Sequence, residues 1–285
     1  MSLSKPRPIL KDMPYHIKKM IVESIPSFLD RLPLRKTSKE FIGIVDTANV
    51  ETTFRMEDKT VWINWSHRKR LLKKHATNKG VADHFKCFVL KPNVTFSLIT
   101  IVENRALSVE LLKMLTVTVH RQLRVKDFRM YKGGQARILE FMEPGTLKRI
   151  FLNQLDQGEA ETIFRMEQWK QARRVHLEDL SAACEVWWNF PRFHIGSNPS
   201  MNLTDLPRVL EHVSNSATFV SGNIFHHHWT INAIVEALGG GDWEWKQDGA
   251  RQFAEKAFPV GNRGSKIIVR AFKFVVEFTM KRSDE

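Results

Sequence analysis

The chain has 285 residues, a formal net charge of +13 at pH 7, and 42% hydrophobic and 10% aromatic residues. That is apolar material for a sizeable core, which excludes a disordered chain, and no run reaches the about 18–20 apolar residues that cross a bilayer. The excess positive charge points to a nucleic-acid partner, an acidic protein partner or a well-solvated surface.

Residues 1–10 lack the apolar stretch of a secretory signal, so a soluble intracellular protein, cytoplasmic and/or nuclear, is expected. The two cysteines, Cys87 and Cys184, are far apart in sequence and have no Cys-x-x-Cys partner. Neither a disulfide framework nor a zinc ribbon follows from them, and reduced, buried thiols are expected.

Ile17, Met20 and Ile21 sit at i, i+3 and i+4 after Pro14 and predict a short amphipathic helix that Pro26 ends. Ser27 can cap a second turn carrying Phe28, Leu29 and Leu32, and beyond Pro33 residues 34–45 predict a third helix with Leu34, Thr37, Ser38, Phe41 and Ile42. Three helices of this size bury little alone, so the module packs on the rest of the chain or completes its core on a partner.

From residue 49 to 65 the period changes to alternation, with Phe54, Met56, Val61, Ile63 and Trp65 around Glu57-Asp58-Lys59, which predicts a β-hairpin. Residues 66–80 carry six Lys or Arg and no acid. A solvated helix face is expected there, with an acidic or nucleic-acid partner as the alternative. Residues 87–90 and 96–102 read as strands. Ser108 is a candidate N-cap for a helix with the stripe Leu107, Leu111, Leu115 and Val119.

Residues 123–130 alternate as a strand, and Ile138, Leu139, Phe141 and Met142 make a short helix after Gly133-Gly134. A strand over 147–152, a helix over 161–172 and a strand over 174–177 form the next unit, although Ile163, Met166, Trp169 and Ala172 are spaced by threes and drift around a helix. Further strands are expected at 192–195 and 218–225, separated by a helix that Asp205 caps and that carries Leu206, Val209, Leu210 and Val213. Phe128, Phe151, Val175, Phe193 and Val220 recur in steps of 23, 24, 18 and 27 residues, as in a leucine-rich-repeat-like solenoid that lacks the leucine consensus. Residues 266–280 alternate again and predict a closing strand or hairpin that caps the array.

His226-His227-His228 would alternate in direction along a strand and have no further ligand at metal spacing, so a solvent-facing loop or strand end is expected. Gly239-Gly240-Gly241 lacks the Lys-Ser/Thr of a P-loop and reads as a turn. Trp169 and Trp188 read as core, with interface anchors as the alternative. No Gly-x-Ser-x-Gly or His-Glu-x-x-His occurs, and the expectation is a protein that is not an enzyme and needs no cofactor or metal.

Two stretches resemble known families. Met13-Pro-Tyr-His-Ile-Lys-Lys-Met-Ile-Val-Glu with Leu32-Pro-Leu-Arg-Lys-Thr-Ser-Lys-Glu-Phe41 resembles an F-box, departing from it at Met13, Pro33 and Thr37. Pro144-Gly-Thr-Leu-Lys-Arg-Ile, Glu167-Gln-Trp-Lys-Gln-Ala172, Phe190-Pro-Arg-Phe, Asp205-Leu-Pro-Arg-Val-Leu and Ser216-Ala-Thr-Phe219 resemble the FTH domain of a large nematode family of F-box proteins. The periodicity and the resemblance together give an α/β chain in three parts: a small N-terminal three-helix F-box at 8–48, a β-rich connecting region at 49–105, and an irregular leucine-rich-repeat-like FTH domain at 106–282.

The resemblance further implies a substrate-recognition subunit of an SCF-type, cullin-based ubiquitin ligase. The F-box would dock on a Skp-type adaptor through Met13, Pro14, Ile17, Ile21, Leu32, Leu34, Ser38 and Phe41, and the FTH domain would hold an unknown substrate protein. For those eight residues the alternative role is the module's own core. The rival readings are a basic repeat protein that binds nucleic acid and an F-box-family protein acting outside a ligase.

Overall fold

From residue 96 to 224 one burial frame recurs, in which two inward residues three apart are followed by a third two further on. It reads Phe96, Ile99, Ile101; then Val125, Phe128, Met130; Leu147, Ile150, Leu152; Ala172, Val175, Leu177; Phe190, Phe193, Ile195; and Phe219, Gly222, Ile224. In the computed structural model each frame places a strand beside the previous one. The structure describes residues 13–25, 33–34, 41, 44, 50–57, 60–65, 68–75, 77–90, 94–102, 105–119, 122–131, 136–155, 157–178, 189–196, 201–260 and 264–282.

The strands are β4 (Val94–Val102), β5 (Arg124–Met130), β6 (Arg149–Asn153), β7 (Arg174–Glu178), β8 (Arg192–Ile195) and β9 (Ser221–Phe225). Each pairs in parallel with the next in chain order. Ahead of them β1 (Val50–Glu57) is parallel to β4 and begins an antiparallel meander with β2 (Thr60–Trp65) and β3 (Arg68–Lys74). At the far end β13 (Val275–Lys281) pairs antiparallel with β9 and carries β12 (Ser265–Phe272), β11 (Arg251–Val260) and β10 (Glu244–Asp248). The result is one thirteen-stranded sheet with β10 and β3 at its edges, so it does not close into a barrel.

Helices return the chain between parallel strands, as parallel pairing requires. The helices are α1 (Tyr15–Ser24), α2 (Asn78–Val89), α3 (Arg105–Thr118), α4 (Gln157–Phe164), α5 (Glu167–Lys170), α6 (Leu206–Asn215) and α7 (Ile231–Ala237), with a 3-10 turn at Ala136–Phe141; of these, α3, the 3-10 turn, α4 with α5, and α6 lie between consecutive parallel strands. Their buried residues, among them Leu107, Leu111, Leu115, Ile163, Trp169, Val209, Val213 and Ile234, join the inward strand positions in one continuous core from Val22 to Phe278.

The hairpin expected at 49–65 is present, with Glu57 opposite Thr60 and Phe54, Met56 and Val61 fully buried. So are the strands expected at 96–102, 123–130, 147–152, 174–177 and 192–195 and the hairpin at 266–280, within a residue or two of their ends. The last expected strand starts only at Ser221.

Several expectations are corrected. Residues 66–80 are not one helix face, because 68–74 forms edge strand β3 and Thr77, which accepts a hydrogen bond from the Gly80 N–H at 3.1 Å, starts α2. A Lys- and Arg-rich strand suits an outer edge, where charge discourages further pairing. Residues 87–90 are the end of that helix and not a strand, since Val89 continues the i, i+4 stripe of Val81 and Phe85. Cys87 is accordingly exposed.

Ser108 is buried inside α3, which begins at Arg105, and so does not cap it. The helix expected at 161–172 breaks at Arg165-Met166 into α4 and α5. That break resets the phase and lets Ile163, Trp169 and Ala172 all point inward despite their threefold spacing. Asp205 caps α6 with no side-chain bond to it; its carboxylate instead accepts from the Asn202 N–H at 2.8 Å. The inward anchors of β6 and β9 are Ile150 and Gly222, not Phe151 and Val220.

Candidate protein-interaction face

The face of the parallel sheet turned away from the core is built by the residues between the inward ones. In register across β5 to β8 it carries Asp127, Arg149, Arg174 and Arg192. One residue earlier lie Lys126, Lys148 and Arg173, and Arg124 stands at the head of β5. Adjacent strands are about 4.8 Å apart, so the three arginines stack as a like-charged ladder, an arrangement that is unfavourable unless something neutralises it.

Asp127 relieves the first of them. Its carboxylate, 8% exposed as a residue, accepts from both Nε (2.9 Å) and Nη2 of Arg149 in a forked pair, and that hydrogen bond raises the Arg149 pKa. Arg124 is answered by Glu143 at 3.1 Å. Arg174 and Arg192 are exposed and have no ion-pair partner among the described residues.

Two residues further along, the ladder is Arg129, Phe151, His176, His194, Asn223 and Glu277. The rings lean on one another: Tyr131 on Phe151 at 4.5 Å, Phe151 on His176 at 4.5 Å, and His176 on His194 at 4.1 Å between centroids. Burial, and then the neighbouring His176, pushes the His194 pKa down to about 4. Burial also lowers His176, against the pull of Glu178, whose Oε1 lies 2.9 Å from its Nε2. Both imidazoles are therefore neutral at pH 7. Glu178 is held by Asn153 as well, at 2.9 Å. The face thus grades from a basic band through a row of neutral rings, with Arg129 at one end and Glu277 at the other, to the Glu178 carboxylate.

The string Glu167-Gln-Trp-Lys-Gln-Ala172 lies behind this face as scaffold. Gln168 is buried and donates to the carbonyls of Met142 (2.9 Å) and Glu140 (3.3 Å), tying its unit to the one before. Trp169, 1% exposed, packs between Phe164 and Phe190 with both centroid distances 4.9 Å. Trp188 lies outside the described residues.

Of the residues expected to meet an adaptor, Pro14 is exposed, Met13, Ile17, Ile21 and Leu34 are half-buried, and Phe41 is 2% exposed in the protein core. Leu32 and Ser38 lie outside the described residues. The helix α1 turns Lys18 and Val22 inward, with the Lys18 ammonium 6.0 Å from the Phe41 ring centroid, and leaves Met20 64% and Tyr15 55% exposed. Met20 therefore does not share the inward stripe expected of it.

His226 stacks on Trp229 at 4.8 Å and 15°, while His227 and His228 face solvent at the end of β9, where the sequence puts them. No group of three or more His, Cys, Asp or Glu converges to hold a metal among the described residues. Nor is any described helix long and apolar enough to cross a membrane. Gly239, Gly240 and Gly241 have φ of 92°, 56° and 79°, a left-handed turn that only glycines make without strain.

What periodicity missed is the basic ladder. Its positions are legible only once the inward frame is known, because each cation is simply the residue before an inward apolar one. No curated protein and no solved structure matches the chain. Residues 108–240, from the first turn of α3 to the glycine turn after α7, and so including the whole basic ladder, match the family model of the FTH domain.

Proposed function

We propose that the protein is the substrate-recognition subunit of an SCF-type ubiquitin ligase. The observation that carries this reading is the FTH match at 108–240, since that domain is one associated with F-boxes. The resemblance of residues 13–41 to an F-box supports it. In this reading the N-terminal segment is a three-helix F-box that docks on a Skp-type adaptor and through it on a cullin. The parallel strands and their return helices are an irregular leucine-rich-repeat-like solenoid that holds a substrate protein.

The chain itself performs no chemistry. It raises the rate of ubiquitin transfer by holding a substrate lysine near a charged enzyme supplied by other subunits, converting an encounter between molecules into one within a complex. Pro14, Ile17, Ile21 and Leu34, with the exposed Tyr15 and Met20 beside them, form the apolar surface that meets the adaptor. Phe41 and Val22 hold that surface to the core from behind.

Co-precipitation with a Skp-type adaptor tests the reading. The wild type is retained, and the Pro14→Ala, Leu34→Asp variant, checked for folding by circular dichroism, is lost. A wild type that does not bind, or a folded variant that binds equally well, overturns it.

A further inference from the structure

We propose that the basic band on the open face of the parallel sheet is a docking surface for an acidic segment of a partner protein, whose carboxylates pair with Arg174 and Arg192 as Asp127 pairs with Arg149. That the partner is the ligase substrate rests on the reading above; the docking chemistry stands on the face alone.

The ladder itself is the first ground. Arg149, Arg174 and Arg192 occupy directly opposed positions on three adjacent strands, and like charges so placed repel. Among the described residues only one of them is neutralised, by a forked carboxylate. The other two present the same fork, exposed, at the same level of the sheet. Lys148 and Arg173, also exposed, extend the positive band alongside.

The neighbouring row separates an acidic peptide from a nucleic acid. Single strands are held by basic grooves beside aromatic rings with free faces on which bases stack. Here Tyr131, Phe151, His176 and His194 are tilted against one another at 4.1–4.5 Å, so the faces they turn to each other are already in contact and not free for a base. Beyond them Glu178 and Glu277 would repel a continuous phosphate backbone, whereas a peptide can place carboxylates over the arginines and a neutral or basic residue over the far end.

Fluorescence anisotropy of a labelled oligoglutamate peptide with the full chain at low salt tests this. The expected result is saturable binding that Arg174→Glu with Arg192→Glu weakens by at least about tenfold. The control Lys266→Glu with Lys281→Glu makes the same change in net charge on the β12–β13 pair and leaves binding unchanged. If the reversed variant does not fold, Arg174→Gln with Arg192→Gln is compared with Lys266→Gln and Lys281→Gln instead.

No binding by the wild type, equal loss in the control, or tighter binding of an oligouridylate of matching length overturns the proposal. The adaptor takes no part in the assay. Failure here therefore leaves the co-precipitation result standing, and failure of co-precipitation leaves this one standing.

Discussion

His194 links the open face to the stability of the protein. Its imidazole lies against His176, with Arg174 and Glu178 nearby, and its folded pKa of about 4 is below the 6.5 of an unstructured histidine. Between these values the unfolded chain holds more protons than the folded one, so stability rises with pH across that window. The contribution is complete above the unfolded value and is lost as pH falls through the folded one. Urea midpoints measured between about pH 7 and about pH 4.5 should fall, and should fall less steeply in His194→Gln. An equal slope in the two proteins would show that His194 is not the group responsible. None of this was visible in the sequence, where His176 and His194 are lone histidines on different strands and only the register brings them together.

At the scale of the element, Gly222 explains why the repeat is hard to read. It occupies the inward position that a large apolar residue holds in the five preceding frames. A Cβ there would fall 2.6 Å from Cε1 of Phe193 and closer still to Cζ and Cε2, because the Phe193 ring extends across to the next strand. Gly222→Ala gains about 0.4–1 kcal/mol by restricting the unfolded chain and loses about 1–3 kcal/mol by overpacking. The overlap wins, so the urea midpoint should drop. Adding Phe193→Leu vacates the space, and the double variant should be more stable than the sum of the singles predicts, as coupled neighbours are. Strict additivity would refute the contact.

The same element shows what sequence could and could not supply. The parallel strands β4 to β9 and the stripe of α3 were legible, since period two and period four are written in apolar residues, whereas β3, β10 and β11, where charged residues interrupt the alternation, were not. The frame itself was hidden by Gly222, by Ala172 and by Phe151, an aromatic residue that faces outward. The break between α4 and α5 was hidden because threefold spacing fits neither a straight helix nor a strand.

Over the whole molecule, the parallel strands are bounded by neighbours that lie outside the matched family segment. The match begins at Ser108, after β4, and stops at Gly240, before β10. Cutting there would strip β4 from β5 and β13 from β9, leaving two rows of unpaired backbone groups. It would also uncover inward residues that Phe96, Ile99, Val276 and Phe278 now help bury. Each large side chain returned to water forfeits about 1.5–3 kcal/mol. A domain of this kind has about 5–15 kcal/mol in all, so losing a few such contacts at each end is enough to unfold it or drive edge pairing. A fragment of residues 108–240 should therefore aggregate or elute as mixed oligomers in size exclusion with light scattering, while the full chain elutes as one species. A monodisperse, folded fragment would mean that the antiparallel meanders at both ends are additions to a domain already stable without them. Their place in the continuous core argues the opposite: β1 to β3 and β10 to β13 are the covers that let an open stack of parallel strands exist in water, and the basic face depends on both.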